Sequence, residues 1–262
     1  MKFTPYSFSK QNTFETCKLK FKFQYIDKIR TEFKMNAVLE KGSYIHLILE
    51  QLAKNNGVLP EIEYNFKHST DEEIHNYKTI AHNFVYSELG YKYLDNTDDK
   101  FFGAEVEFGV KSENGIWSST NYYDKKALFR GKIDHANKIG STMYLLDWKS
   151  GRVSAFPAPL QLVMYAVWCF LKFPEIDTVN TAFVYLEHGK EKRYIFKRKH
   201  LRSLQEKIAE KLYNIEMETE FPKTESALCE YCQFRLSGDC TETSNEDFND
   251  NLMKFAPKMK GN

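Results

Sequence analysis

GKIDHANKIGSTMYLLDWKSGRVSAFPAPLQLVMY, residues 131–165, is the stretch whose reading decides the fold. Asp134 lies in a run of strand-like alternation, ALFRGKIDHANK, and the Ile139-Gly140-Ser141 turn leads into a second run, TMYLLDW. Successive strand residues point to opposite faces, so Asp147 and Lys149 share one face while Trp148 turns to the other. Pro157 and Pro159 open a helix with apolar positions at Leu160, Met164, Val167 and Leu171, and Pro174 closes it. Gln161 and Tyr165 are four residues apart and fall on one side of that helix.

Outward from this strand–strand–helix unit the same periods continue. Upstream, FGAEVEFGV from Phe101 and the Glu113-Asn114-Gly115 turn complete an antiparallel meander. Downstream, TVNTAFVYLEH and EKRYIFKRK read as strands joined at Gly189, followed by the amphipathic helix HLRSLQEKIAEKLYNIEM. Toward the N-terminus the periodicity is helical. Ser7 caps a helix beginning at Phe8, with Phe14, Phe21, Phe23, Tyr25 and Ile26 on its inner side. Asn36 caps AVLEKGSYIHLILEQLAKN, residues 57–70 form a loop, and Thr70 caps DEEIHNYKTIAHNFVYSEL. Helices and strands thus mix in one α/β chain with a helical N-terminal region.

A chain of 262 residues with 42% hydrophobic and 15% aromatic content can bury a full core. We expect one domain over residues 1–240, with a helical part (1–98), a sheet and its helix (99–200), and a C-terminal helix with a cysteine-rich clasp (200–240); residues 241–262 read as a polar tail. The net charge of +1 leaves any attraction to nucleic acid to local clusters. Lys190, Lys192, Arg193, Lys197, Arg198, Lys199 and Arg202 form the densest of these, either a nucleic-acid contact or a solvated strand edge. Lys18, Lys20 and Lys22 carry the same two readings. No apolar run approaches membrane-span length and the start lacks a signal-peptide core, so an intracellular, cytoplasmic protein is expected, in a prokaryotic or viral setting. In a reducing compartment, the CEYCQFRLSGDC segment together with Cys17 reads as metal ligation, not as a disulfide framework.

Chemistry concentrates on the opening stretch. An acid and a lysine ending the apolar run Tyr144-Leu145-Leu146 would be costly to bury unless they served a site. Carboxylates on adjacent strands can hold divalent cations, and a lysine beside them can stabilise charge on a phosphate or move a proton. The expectation is metal-dependent cleavage of a phosphodiester. His46 stands on a helical turn four residues after Gly42, whereas His75 and His82 lack partners at metal-ligand spacing.

These residues fall in a recognisable order: Gly42-xxx-His46, Gly131-xx-Asp134, Asp147-x-Lys149, Gln161-xxx-Tyr165. In that order the sequence resembles the PD-(D/E)xK nuclease superfamily, and within it the RecB-like branch that includes the CRISPR-associated adaptation nucleases. SFSKQNTFETCKLKFKFQYI and the C-terminal cysteines extend the likeness over nearly the whole chain. The resemblance implies a restriction-endonuclease-like core, a mixed central sheet flanked by helices. It also implies that His46, Asp134, Asp147 and the Trp148 carbonyl bind magnesium or manganese and that Asp134, Asp147 and Lys149 are catalytic. Gln161 and Tyr165 would orient substrate. Glu105 or Glu107 could add a carboxylate, although each reads better as a plain strand-edge acid.

The same branch often carries a four-cysteine iron–sulfur cluster, which would use Cys17, Cys229, Cys232 and Cys240. The seven-residue gap between Cys232 and Cys240 is wider than the family pattern, and zinc competes for tetrahedral thiolates. Cys169, on an apolar helix face, reads as packing. The expected activity is a metal-dependent DNA exonuclease acting on ends or single strands, with a helicase or recombination partner supplying any unwinding and a homo-oligomer allowed. The alternatives are a non-catalytic DNA-binding subunit of a repair or recombination complex, and a nuclease for RNA or DNA junctions.

Overall fold

The computed structural model describes residues 2–31, 36–94, 100–153 and 159–240. The 241–262 tail and Pro157 lie outside the described residues. In order come α1 (Phe8–Thr16), α2 (Lys18–Phe21) with a π turn over Lys22–Ile26, α3 (Ala37–Lys54), α4 (Asp71–Val85) and α5 (Glu88–Leu94). Strands β1 (Phe101–Glu113), β2 (Ile116–Thr120), β3 (Ala127–Ile139) and β4 (Thr142–Lys149) follow, then α6 (Leu160–Lys172), β5 (Thr178–Tyr185), β6 (Lys190–Lys197), α7 (Leu201–Met217) and α8 (Gln233–Leu236).

Two compact units divide the chain: Met1–Glu15 with Lys34–Glu220, and Thr16–Phe33 with Phe221–Asn262. The larger unit holds one six-stranded sheet in the order β2-β1-β3-β4-β5-β6. Its pairings are antiparallel except β4 with β5, which run parallel and are joined through α6. This mixed sheet flanked by helices is the α/β, restriction-endonuclease-like arrangement expected from the sequence. β4 and β5 are buried on both faces, as central parallel strands are.

Local chemistry explains the helices that cover the sheet. Asn36 accepts the Leu39 N–H at 3.0 Å to start α3, and Thr70 with Glu73 forms a reciprocal capping box on α4. α3 and α4 bury Tyr44, Ile45, Leu49, Tyr77 and Phe84 against Leu146, Trp148 and Val184 of the sheet. α6 packs on the opposite face, where the Trp168 and Tyr165 rings meet Phe108 at 5.3 and 5.7 Å. Arg198 ties the end of α6 to the loop after it: its guanidinium donates to the carbonyls of Phe170 in the last turn, Phe173 at the cap and Ile176 beyond, at 2.5–2.9 Å. Arg198 is thereby drawn out of the basic cluster read from the sequence. Of its neighbours, Arg193 pairs with Glu191 and Arg202 with Glu206, and Lys197 donates to Thr178 Oγ1.

The smaller unit brings together segments from the two ends of the chain. Helical geometry breaks at Cys17, whose backbone is extended at φ −160° and ψ 114°, before α2 begins. The Leu19 N–H donates to the Pro222 carbonyl at 3.2 Å, Phe21 stacks on Phe221, and Phe23 meets Phe234 edge-on.

Candidate active site

The antiparallel ladder between β3 and β4 runs from Ile139↔Thr142 to His135↔Leu146. The next opposed residues are Asp134 and Asp147, and there the ladder stops. The Trp148 N–H turns instead to Asp134 Oδ2 at 2.7 Å. On the other side of β3, the pairs Ala104↔His135 and Val106↔Ile133 place Glu105 opposite Asp134. Glu105 has a φ of +52°. For a residue with a side chain, that left-handed backbone costs on the order of 1–2 kcal/mol, and such strain gathers at functional sites. Three neighbouring strands therefore each deliver one carboxylate to the same level of the sheet.

α3 completes the group. His46 Nδ1 lies 3.6 Å from Asp134 Oδ1, and one ligand atom from each of His46, Glu105 and Asp134 falls within 4.8 Å of the others. They line an open cleft of about 720 Å³ with Gly42, Glu50 and Ser150. Gly42 lies on the turn of α3 next to the end of β4, where a Cβ would meet Ser150 Oγ at 3.4 Å, an ordinary contact. Burial pulls the His46 pKa down, but Asp134, Asp147 and Glu105 outweigh it and the net shift is upward. Glu105 is raised by burial and by Asp134, against the pull of Lys132 at 3.3 Å.

Asp147 is held differently. Its Oδ1 accepts from Gln161 Nε2 at 2.5 Å and lies 2.9 Å from the Tyr165 hydroxyl, which also reaches the Lys132 carbonyl at 2.9 Å. Gln161 Nε2 donates to Tyr165 as well, at 2.8 Å. Lys149 Nζ stands 2.5 Å from Asp147 Oδ2, yet that buried oxygen has no aligned hydrogen-bond donor. Burial, then Asp134, push Asp147 up to about 6, although Lys149 and Tyr165 oppose the rise. The Tyr165 hydroxyl is raised well above its ordinary value by burial and by the two aspartates.

The residues singled out from the sequence thus form two adjoining groups. His46 and Asp134 come together with Glu105, a residue the sequence reading set aside as a strand-edge acid. Asp147 is joined to Lys149, Gln161 and Tyr165. Trp148 meets Asp134 through its N–H, and its ring packs against Phe84 and His135. An imidazole and two carboxylates so close together, with a third carboxylate beside them whose outer oxygen lacks an aligned donor, fit a hard divalent cation.

In the smaller unit, Cys17, Cys229, Cys232 and Cys240 line one cavity of about 170 Å³. The thiols sense one another: burial, then Cys232, Cys17 and Cys229, raise Cys240 while Lys223 lowers it. Cys169 is fully buried in α6, and burial pushes its thiol up to about 12.

Among solved structures, one titled "Crystal structure of SSO0001" is 14% identical and aligns over 76% of this chain and 98% of that one, with a TM-score of 0.30. No curated protein sequence matches significantly. Among the described residues, no helix is long and apolar enough to cross a membrane. A profile of the PD-(D/E)XK nuclease superfamily matches residues 5–237, a span that contains the His46–Glu105–Asp134 group, the Asp147–Lys149 pair and three of the four cavity cysteines. The chain belongs to the PD-(D/E)XK nuclease superfamily, whose members hydrolyse phosphodiester bonds with divalent metal ions.

Proposed function

We propose that the protein is a magnesium- or manganese-dependent DNA exonuclease that works on strand ends or single strands. One observation carries the chemistry: where β3 and β4 part, the His46–Glu105–Asp134 group and the Asp147–Lys149 pair lie side by side. His46, Glu105 and Asp134 would hold the cation, with Asp147 and the Trp148 carbonyl completing its shell. Bound there, the cation supplies Lewis acidity toward the phosphate and acidifies water.

The chain's own groups do the rest. Gln161 and Tyr165 fix Asp147 Oδ1, which leaves Oδ2 directed toward Lys149. The Lys149 ammonium sits over the Phe183 ring, 4.9 Å from its centre, and is placed to counter negative charge that builds on the phosphate oxygens or to pass a proton to the departing oxygen. Trp148 and its neighbours on the α3–α4 side exclude water from beneath the carboxylates.

The four thiols support the DNA-directed branch of the superfamily, and a [4Fe–4S] cluster is the group proposed for them. Four thiols lining one cavity are the donor set such a cluster uses, and zinc would use the same set.

Purified protein incubated with labelled linear duplex, circular duplex, single-stranded DNA and RNA tests this reading, with magnesium, manganese or chelator in parallel. The expected outcome is metal-dependent loss of linear and single-stranded DNA, sparing circles and RNA, and abolished by Asp147→Ala or Lys149→Ala in folded protein. Metal-dependent cleavage that survives both substitutions would refute the site, and cleavage of circles or of RNA would refute the substrate.

A further inference from the structure

The loop between β2 and β3, Asn121-Tyr122-Tyr123-Asp124-Lys125-Lys126, has no part in the site described above, yet its construction holds one large side chain outside the fold. β2 and β3 flank β1, so the loop must cross that strand. It crosses at Gly109, where a Cβ would stand 2.7 Å from the Asn121 carbonyl oxygen. The turn is fastened from within. The Tyr123 N–H donates to Asn121 Oδ1 at 2.7 Å, and Asp124 accepts from the Thr120 hydroxyl at 2.6 Å and from the Lys126 N–H at 2.8 Å. From β3, the Arg130 guanidinium stacks on the Tyr122 ring at 4.8 Å and donates to the Tyr122 carbonyl at 3.3 Å.

Tyr123 is the residue this frame presents, and it is 70% exposed. Among the described residues its one ring neighbour is Tyr122, met edge-on with centroids 5.1 Å apart and planes at 78°. A wide ring face is left open on a backbone that has little freedom to lose when the ring is covered. The ring also adjoins the metal group. Its hydroxyl lies 3.4 Å from Glu107 Oε1, and Lys132 Nζ stands 3.7 Å from Glu107 and 3.3 Å from Glu105, which meets His46 and Asp134. The charges around it favour a polyanion. Lys125 and Lys126 are exposed on the same loop, whereas Asp124 is engaged inside it and Glu105 and Glu107 face Lys132.

We propose that Tyr123 is a stacking platform for an unpaired base of the substrate strand. Every base has an aromatic face, so an exposed tyrosine among lysines takes one without regard to sequence, while the lysines follow the backbone phosphates. Only a base free of its pairing and stacking partners can lie on the ring, so the platform selects a single strand over a duplex. A base held on Tyr123 sets the register of the strand relative to the metal group. The inference rests on the nuclease reading above and narrows its substrate to an unpaired strand.

Binding measured without turnover tests it. Lys149→Ala protein, with no divalent cation added, is titrated into a labelled thymidine strand, the same sugar–phosphate strand without bases, and a blunt duplex. Adding Tyr123→Ala should weaken binding of the thymidine strand roughly tenfold, the range of one stacked base, and leave the abasic strand and the duplex unchanged. Tyr123→Phe and Tyr123→Trp should keep the affinity for the thymidine strand; thermal melts confirm that each variant is folded. Equal weakening on thymidine and abasic strands overturns the inference by assigning Tyr123 to the shape of the loop. A Tyr123→Phe variant as weak as Tyr123→Ala also overturns it, by assigning the effect to the hydroxyl beside Glu107. So does an affinity indifferent to Tyr123, which would leave the ring for a protein partner. Cleavage assays on the wild type decide the nuclease reading separately: base-dependent binding without cleavage leaves the platform standing, and cleavage with no effect of Tyr123 on binding removes the platform alone.

Discussion

Replacing Asp147 with asparagine should abolish cleavage and, without metal, make the protein more stable. Asp147 is 4% exposed, and burial with Asp134 lifts its pKa from the ordinary 3.8 to about 6. A rise of that size corresponds to about 3 kcal/mol of unfavourable free energy for keeping the carboxylate charged in the folded state. Because the folded pKa lies above the unfolded one, the folded state binds more protons between about pH 4 and pH 6. Wild-type stability is fully kept below the unfolded value and lost as pH rises through the folded one.

Asparagine removes that penalty at modest cost. It retains an acceptor for Gln161 and Tyr165, and Lys149, whose side chain is 37% exposed, can turn toward water. At about 2–4 °C per kcal/mol for a unit of this size, Asp147→Asn should melt roughly 6–12 °C above wild type at pH 8 in chelator. The gap should close by pH 4. Adding manganese should reverse the order, because only the wild type can use the carboxylate on a cation. Thermal unfolding followed by circular dichroism across this pH range, with and without metal, is the assay. A variant that melts no higher than wild type at pH 8, or a difference that ignores pH, would refute the reasoning.

Other substitutions separate the remaining elements. Glu105→Gln should weaken manganese binding by at least about tenfold in calorimetry, whereas Glu105→Gly should lose the metal yet melt slightly higher, since glycine relieves the left-handed backbone. Cys229→Ala should strip iron and visible absorbance from the protein and lower its melting temperature. A cross-link closing the stretch of about 210 residues between Cys17 and Cys229 is worth roughly 5 kcal/mol, so normal stability with no bound metal would remove the clasp. Arg198→Ala should cost about 2–4 kcal/mol in chemical denaturation by freeing three carbonyls in the last turn of α6 and the loop that follows it, with no effect on DNA affinity.

The parts of this site that a sequence shows are those set by local period. Alternation placed Asp147 and Lys149 on one face of β4, and helical spacing paired Gln161 with Tyr165; both hold because each depends only on residues within one element. Glu105 was passed over because its role depends on register. FGAEVEFGV offers two acids two residues apart, on the same face, and nothing in that run says which stands opposite Asp134 or that one of them adopts a left-handed backbone. The basic cluster misleads for the same reason, since Arg198 looks like its neighbours until the end of α6 and the loop after it present it with three carbonyls. Nor could the periods reveal the break at Cys17, where an inner side read as running on to Ile26 gives way to an extended residue that lets the thiol reach the cavity shared with the C-terminal cysteines. What remains hidden in one dimension is therefore of one kind: interactions in which a residue's partner lies on another strand or helix. The metal group is of that kind in its assembly: the order of the family motifs named His46 and Asp134, but the three residues come from separate elements, no two of them close in sequence, and only the strand register brings Glu105 to the other two.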